Sequence, residues 1–462
     1  MRILHYALGF PPYRSGGLTR YVNDVTNAQH DAGHDVAMLW PGRMNKSKTP
    51  YIKQHRSIKG ISSFELCNPL PVVLDQQVSE PEVFHYPVDG ACYKRLFAEY
   101  QPDIIHIHTL QGLHREFVDA ARDTGIPTVF TTHDFFGLYP MNAIYPMDHD
   151  LTDEECTAIN ASAPSVSKLR LLQSPMVRWI KSSHVLRSMS KFAVKAKSRT
   201  KTQSILNMSM PYPPVGTLNK LKPYSDFRNY EIDILNGMDE ILYNSEVSKQ
   251  AYERYCRPRF SEVLPITHAH MPTPTNGNRV GQHNRIHVAF LGGDRPYKGL
   301  SLIQEIASTF RNENNRTYHF DVYGAQGNND DWITYHQPFA DFTEEMLNWD
   351  IVAVPSLTYE SFGFVVPEAL SCGIPVIVSD CVGAKELIRY EYGIVFRAGD
   401  LKQLHGYLLA MDDEALQEIH FKICNTYTLQ NFANHLHDLE TIYQQFFIRK
   451  ELINNRKTGT GK

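Results

Sequence analysis

The sequence predicts an α/β protein made of two doubly wound domains that face each other across a cleft. Three observations carry this prediction. At 462 residues the chain is too long for one ordinary hydrophobic core. Strand-like apolar runs alternate with helical patterns almost throughout, the signature of parallel sheets built from βαβ units. One stretch, Met271 to Asn284, breaks all periodicity with proline, glycine and asparagine and reads as a linker between two such alternations.

The elements follow in order. Arg2-Ile3-Leu4-His5-Tyr6-Ala7-Leu8 reads as a first core strand over Ile3–Leu8, not a secretory signal, because it is short and soon interrupted by Pro11-Pro12. Further strands are expected at Val36–Trp40, Ile104–His108, Thr128–Thr132 and Glu240–Tyr243, which places a first domain at residues 1–275. The second alternation has strands at Ile286–Leu291, Tyr318–Tyr323, Ile351–Val354 and Pro375–Val378 and a helix at Leu300–Phe310, giving a second domain at 285–430. Residues 431–462 hold a last helical pattern that could cross back onto the first domain, followed by a short tail.

Composition narrows the function. Hydrophobic content of 42%, charged content of 21% and a net charge of −4 describe a soluble globular protein and give no footprint for nucleic acid. The seven cysteines show no C-x-x-C spacing, so reduced thiols are expected rather than a zinc site or a disulfide framework. No run of 18 apolar residues occurs, so membrane contact would have to be peripheral. Charge is nonetheless segregated: residues 156–225, an insertion in the first domain, hold twelve Lys or Arg and no acid. Within it, Met176–Ala196 would place Trp179, Leu186, Met189 and Phe192 on one helical face, opposite Lys181, Arg187, Lys191 and Lys195. Such a helix can lie on an anionic membrane. An ordinary domain helix with a solvated basic side would look the same.

The densest chemistry lies at Tyr359-Glu360-Ser361-Phe362-Gly363-Phe364-Val365-Val366-Pro367-Glu368. A strand precedes it, Pro367 suits a first helical position, and Gly373 suits the residue past the helix end. A strand–loop–helix unit of this kind can receive an anion on its amides, while two glutamates can accept hydrogen bonds from hydroxyls. A nucleotide sugar offers both. Gly16-Gly17, after the first strand, and Gly292-Gly293-Asp294-Arg295-Pro296-Tyr297-Lys298, after the first strand of the second domain, would let backbone approach a phosphate. Arg295 and Lys298 could neutralise a departing diphosphate. A tight turn and a surface pair of cations are the plainer readings. His133 should emerge at the carboxyl edge of the first sheet, where a structural histidine and a functional one are equally expected. Asp148-His149-Asp150 is formally D-x-D, but no clear strand precedes it, and no metal site is assigned.

In this order along the chain, Gly16-Gly17, His133-Asp134, Lys298-Gly299 and the E-x7-E pair of Glu360 and Glu368 resemble the retaining, nucleotide-sugar-dependent glycosyltransferases of family 4. The resemblance spans nearly the whole length. It implies the GT-B fold, two Rossmann-like domains facing a cleft, with no cofactor beyond the nucleotide-sugar substrate. It further implies that Glu368 holds the donor ribose, and that Glu360 with the backbone of Ser361, Phe362 and Gly363 holds the donor sugar. Lys298 would bind the diphosphate, and His133 would sit beside the transferred sugar. Many members have Gly-Arg where this chain has Gly292-Gly293, which makes Arg295 the candidate replacement cation.

Leu4–Thr19 and the segment around Ala163–Ser174 are similar to bacterial capsular and exopolysaccharide transferases, some of which add rhamnose to a lipid-linked glucose. That likeness implies a glycan or polyprenyl-diphosphate-linked saccharide acceptor and a cytoplasmic protein, peripheral on the inner face of the plasma membrane. A non-catalytic nucleotide-sugar-binding subunit of an assembly complex and a sugar-nucleotide epimerase are the alternatives on the same fold.

Overall fold

The computed structural model describes all residues except 46, 75–76, 141–149, 162, 175–176, 178–220, 273–283, 338–344, 347, 389–390, 429–430 and 460–462. The amphipathic stretch Met176–Ala196, apart from Val177, lies outside the described residues, as do Asp148-His149 and most of the linker.

The first sheet has eight strands: β1 (Arg2–Tyr6), β2 (Asp35–Pro41), β3 (Tyr51–Ile58), β4 (Ile61–Cys67), β5 (Ile104–Ile107), β6 (Thr128–Thr131), β7 (Glu240–Tyr243) and β8 (Phe260–Val263). Their order is β3-β4-β2-β1-β5-β6-β7-β8, parallel except for β3. The five expected strands are β1, β2, β5, β6 and β7. The hairpin β3–β4 and the edge strand β8 were not expected, and their residues explain why. β3 is an exposed edge carrying Lys53, His55 and Arg56, so it has no apolar run to read. Lys59-Gly60, both with positive φ, make the two-residue turn.

The second sheet is wholly parallel: β9 (Ile286–Phe290), β10 (Tyr318–Tyr323), β11 (Ile333–His336), β12 (Ile351–Val354), β13 (Val376–Ser379) and β14 (Gly393–Phe396), in the order β11-β10-β9-β12-β13-β14. In each sheet the chain winds outward one way and then the other. β1 lies between β2 and β5, and β9 lies between β10 and β12. The loops after β1 and β9 therefore open at the two switch points, where open α/β sheets bind ligands.

Alternation along the strands builds the layers. On β1, Leu4 and Tyr6 enter one buried cluster, while Ile3 and Ala7, just past the strand end, enter another. This second cluster runs on through Val366, Ala369 and Leu370 to Val352 and Val376 of the second sheet, so one apolar core joins the two halves. Leu439, Ile442 and Tyr443 of the last helix, Phe432–Gly459, belong to it as well. That helix lies against the first sheet, with the Tyr443 hydroxyl 2.5 Å from His106 Nδ1 and His435 Nε2 2.7 Å from the Tyr21 hydroxyl.

Candidate nucleotide-sugar site

A cleft of about 710 Å³ opens between the two switch points, within the size range of small-molecule sites. Gly17, Arg295, Lys298, Ser356, Glu360 and Val365 are among the residues lining it.

From the first sheet comes helix α1 (Gly17–Asp31), which follows β1 directly. Its N-cap is Gly16, which offers no side-chain cap, so the first-turn amides are available to a ligand. A Cβ on Gly17 would lie 3.1 Å from the Phe364 ring of the opposite half. Glycine here lets the two halves approach.

From the second sheet come the loops after β9 and β12, which are neighbours in the sheet. Gly299 has φ +84°, and a Cβ there would meet the Pro355 carbonyl at 2.0 Å, so the turn after Lys298 requires glycine. That turn aims Lys298 at Glu360: Nζ lies 2.5 Å from Oε1, while the Ser356 hydroxyl donates to Oε2 at 2.7 Å. The Glu360 backbone is clamped too, its N–H donating to the Cys381 carbonyl and its carbonyl accepting from Gly383. Burial alone would raise the Glu360 carboxyl. Lys298, with the Ser356 hydroxyl and Arg295, outweighs that and holds it below the usual carboxylate range. Charge is thus stored in a fixed cation–carboxylate pair at the cleft wall.

Ser361 bridges the halves. Its hydroxyl donates to the His133 carbonyl at 2.7 Å, and its carbonyl accepts from Ser245 at 2.6 Å and Ser248 at 3.1 Å. Phe362 is buried in the shared core, and its carbonyl accepts from Ala384. Helix α2 (Val365–Ser371) starts two residues before the expected position. Pro367 is therefore its third residue, tolerated because that N–H would also lack an intrahelical acceptor. Gly373 follows the helix end with φ +77°, as expected.

Glu368 lies one turn behind the cleft wall, 8% exposed at its side chain, and does not line the cavity. Its Oε1 accepts from Arg20 Nη1 at 3.3 Å and lies 2.9 Å from His268 Nε2. Arg20 and His268 went unnoticed in the sequence. Neither sits in a motif, and both meet Glu368 only because the halves are closed. His133, half-buried, sits behind the wall as well, its ring 4.9 Å from that of Tyr21. Burial, reinforced by His435, pushes its pKa down to about 3, so the imidazole is neutral. The adjoining Asp134 is pushed up to about 6 by burial, against the pull of the Phe136 N–H and Gln111.

Among the described residues, the one group of donors close enough to share a metal ion is His5, His106 and His108, all buried. Every ring nitrogen of the three already has a hydrogen-bond partner within 3.4 Å.

Two families match the chain. Residues 15–155 match Glycosyltransferase Family 4, and residues 285–411 match Glycosyl transferases group 1. Both halves of this chain are glycosyltransferase domains. The fold agrees, since this glycosyltransferase chain is similar over nearly its full length to solved GT-B structures. Sucrose-phosphate synthase from Thermosynechococcus elongatus superposes with a TM-score of 0.56 at 14% identity, covering 97% of this chain and 99% of that one. HepE from Anabaena in complex with UDP gives 0.56 at 13% identity, covering 96% and 100%. Trehalose 6-phosphate synthase from Burkholderia multivorans gives 0.56 at 13%, covering 98% of each. No curated protein matches by sequence.

Proposed function

We propose that the protein transfers a sugar from a nucleotide-sugar donor, with retention, to a glycan or lipid-linked saccharide acceptor in bacterial cell-surface polysaccharide synthesis. The observation that carries the reading is the Lys298–Glu360–Ser356 cluster on the wall of the cleft, facing the uncapped start of α1. The binding of UDP or UDP-glucose by the structurally similar HepE supports a nucleotide sugar as the ligand class.

In this reading the diphosphate lies between the Gly16-Gly17 amides and Lys298 with Arg295. The ribose falls to Glu368, whose carboxylate must turn from Arg20 and His268 toward the cleft to reach it, and Glu360 with the Ser361–Gly363 loop holds the sugar. The acceptor hydroxyl oxygen forms a bond to the anomeric carbon while the bond from that carbon to the diphosphate oxygen breaks. The hydroxyl proton passes to the departing phosphate. The sugar passes through an oxocarbenium-like state comparable in charge to that of glycosidases. Charge grows on the leaving diphosphate, where fixed cations and amides act most strongly. Lys298, Arg295 and the amides supply that neutralisation without a metal, and attack on the face the diphosphate leaves gives retention. The acid-free segment 156–225 suits a polyprenyl-diphosphate acceptor and an anionic membrane surface.

Thermal unfolding with UDP, GDP, ADP and dTDP, with and without EDTA, tests the donor side. A nucleotide at a hundredfold its Kd adds about 2.7 kcal/mol. Selective stabilisation that survives EDTA and disappears in Lys298→Ala supports the reading. No shift with any nucleotide would remove it. Conversion of donor without acceptor would make the protein an epimerase instead.

A further inference from the structure

The first sheet buries a row of imidazoles on the face turned toward the last helix. His5 is on β1, His106 on β5 and opposite it in register, and His108 and His133 lie just past the ends of β5 and β6. Three of the four are fully buried. A buried polar ring must be hydrogen-bonded, so such a row is costly to build and each nitrogen needs a partner.

The partners form a directed chain. Gln29 Oε1, on α1, lies 2.8 Å from His5 Nε2. His5 Nδ1 lies 3.0 Å from His108 Nε2, and His108 Nδ1 lies 3.4 Å from His133 Nε2. The Gln29 amide nitrogen points the other way, to the Tyr443 hydroxyl at 3.5 Å, and that hydroxyl meets His106 Nδ1. Burial lowers His5 to about 4 and His133 to about 3 and holds His108 well below the usual range, so each ring carries one N–H. A neutral imidazole donates from one nitrogen and accepts at the other, and the partner of one nitrogen decides the state of its mate. The Gln29 carbonyl can only accept, so His5 carries its proton on Nε2 and accepts at Nδ1. His108 must then donate from Nε2 and accept at Nδ1. His133 must donate from Nε2, which leaves Nδ1 with a lone pair. No hydrogen bond to His133 Nδ1 is present among the described residues.

We propose that Gln29, His5 and His108 are positioning residues that fix the tautomer of His133, so that its unprotonated Nδ1 accepts a hydrogen bond from a hydroxyl of the bound sugar or acceptor. Which ring nitrogen carries the proton is thereby set on α1, two residues before its end, far from the cleft wall. The kinetic consequence rests on the transferase reading; the tautomer does not.

The test is nitrogen-15 histidine NMR of the full-length protein without ligand, which separates Nε2–H from Nδ1–H rings. His133 is assigned by its loss in His133→Gln. The expected wild-type signal for His133 is the Nε2–H form. Gln29→Met, or independently His5→Phe, moves it toward a mixture. Thr131→Val removes a hydroxyl from His106 at the same depth but off the chain, and leaves it unchanged. In Gln29→Met, kcat/KM for transfer falls by roughly tenfold to a hundredfold, by analogy with the loss when a metal-bound imidazole loses its orienting partner. A His133 that is Nδ1–H or mixed in the wild type, or one that ignores both chain substitutions, overturns the proposal. A wild-type protein with the Nε2–H form but no transfer keeps the relay and removes the transferase reading.

Discussion

The two walls of the cleft are built from opposite materials. The second sheet presents charge: Lys298 paired to Glu360 and Arg295 nearby, reached by solvent. Among the described residues, the first sheet's side presents far less at the cleft: helix-end amides in front and neutral imidazoles behind, with Arg20 turned to Glu368 and Asp134 buried beside His133. The difference matches what each wall would face. A leaving diphosphate develops charge and is stabilised by fixed cations. A sugar hydroxyl is neutral and is recognised by the direction of a hydrogen bond, which a buried, uncharged network fixes best. The charged wall should therefore fail through chemistry when altered, and the neutral wall through orientation and stability.

The largest expected effect is on the charged wall. Lys298→Ala should lower transfer by about 10²- to 10³-fold, the usual consequence of losing one transition-state donor. Stability should fall by about 1–3 kcal/mol, because the mostly buried Glu360 carboxylate loses its cation and keeps Ser356 as a partner. Steady-state rates beside a thermal melt decide it, and wild-type turnover would sink the assignment. Glu368 lies where the walls meet, and its loss should show both kinds of failure. Glu368→Ala should weaken nucleotide binding and also cost about 1–3 kcal/mol, because the buried His268 Nε2 loses its partner. Glu368→Gln keeps an acceptor for His268 and should recover most of the stability. Equal melting temperatures for wild type and Glu368→Ala would show that the His268 contact contributes nothing.

The charged wall was legible in the sequence; of the neutral wall only its front, Gly16-Gly17 and His133, was, and the network behind it was not. Lys298 and Glu360 are 62 residues apart, yet each sits in the loop after a buried apolar run. Strands β9 and β12 are neighbours, so reading the runs correctly places the loops together. The strands of the shared core are equally legible, as continuous apolar stretches, but that one core would join the two halves was not. The relay is different. His106-Ile107-His108 alternates like any strand, and its pattern says nothing about a buried partner on α1 or on a helix more than 300 residues away. Arg20 and His268 were invisible for the same reason, since only the closed arrangement of the halves makes them neighbours of Glu368. β3 escaped because an exposed edge strand has no need of apolar residues.

Asp134 sharpens the comparison by pH. Its folded pKa, about 6, lies above the ordinary aspartate value. The folded state thus holds the proton more tightly, and stability from this group is present at low pH and lost as pH rises through about 6. Asp134→Asn removes that loss. The variant should be no more stable than wild type near pH 4 but gain on the order of 2 kcal/mol relative to it by about pH 7.5. Urea titrations at the two pH values measure the difference. An equal offset at both would mean the carboxylate is not held protonated by its burial.

The smallest effect should come from Tyr443, where the last helix supports the neutral wall from behind. Its hydroxyl is fully buried and lies against His106 Nδ1 and the Gln29 amide, with no route to the cleft. Tyr443→Phe keeps the ring in the shared core and removes only the polar atom. It strands a buried imidazole nitrogen, which should cost about 1 kcal/mol, with the apolar packing of Leu439 and Ile442 intact. Nucleotide affinity should stay at the wild-type value, because Lys298, Arg295 and the α1 amides are untouched. A loss of nucleotide binding in Tyr443→Phe would mean that the two walls are coupled through the helix, and that the division of labour between charge and direction does not hold.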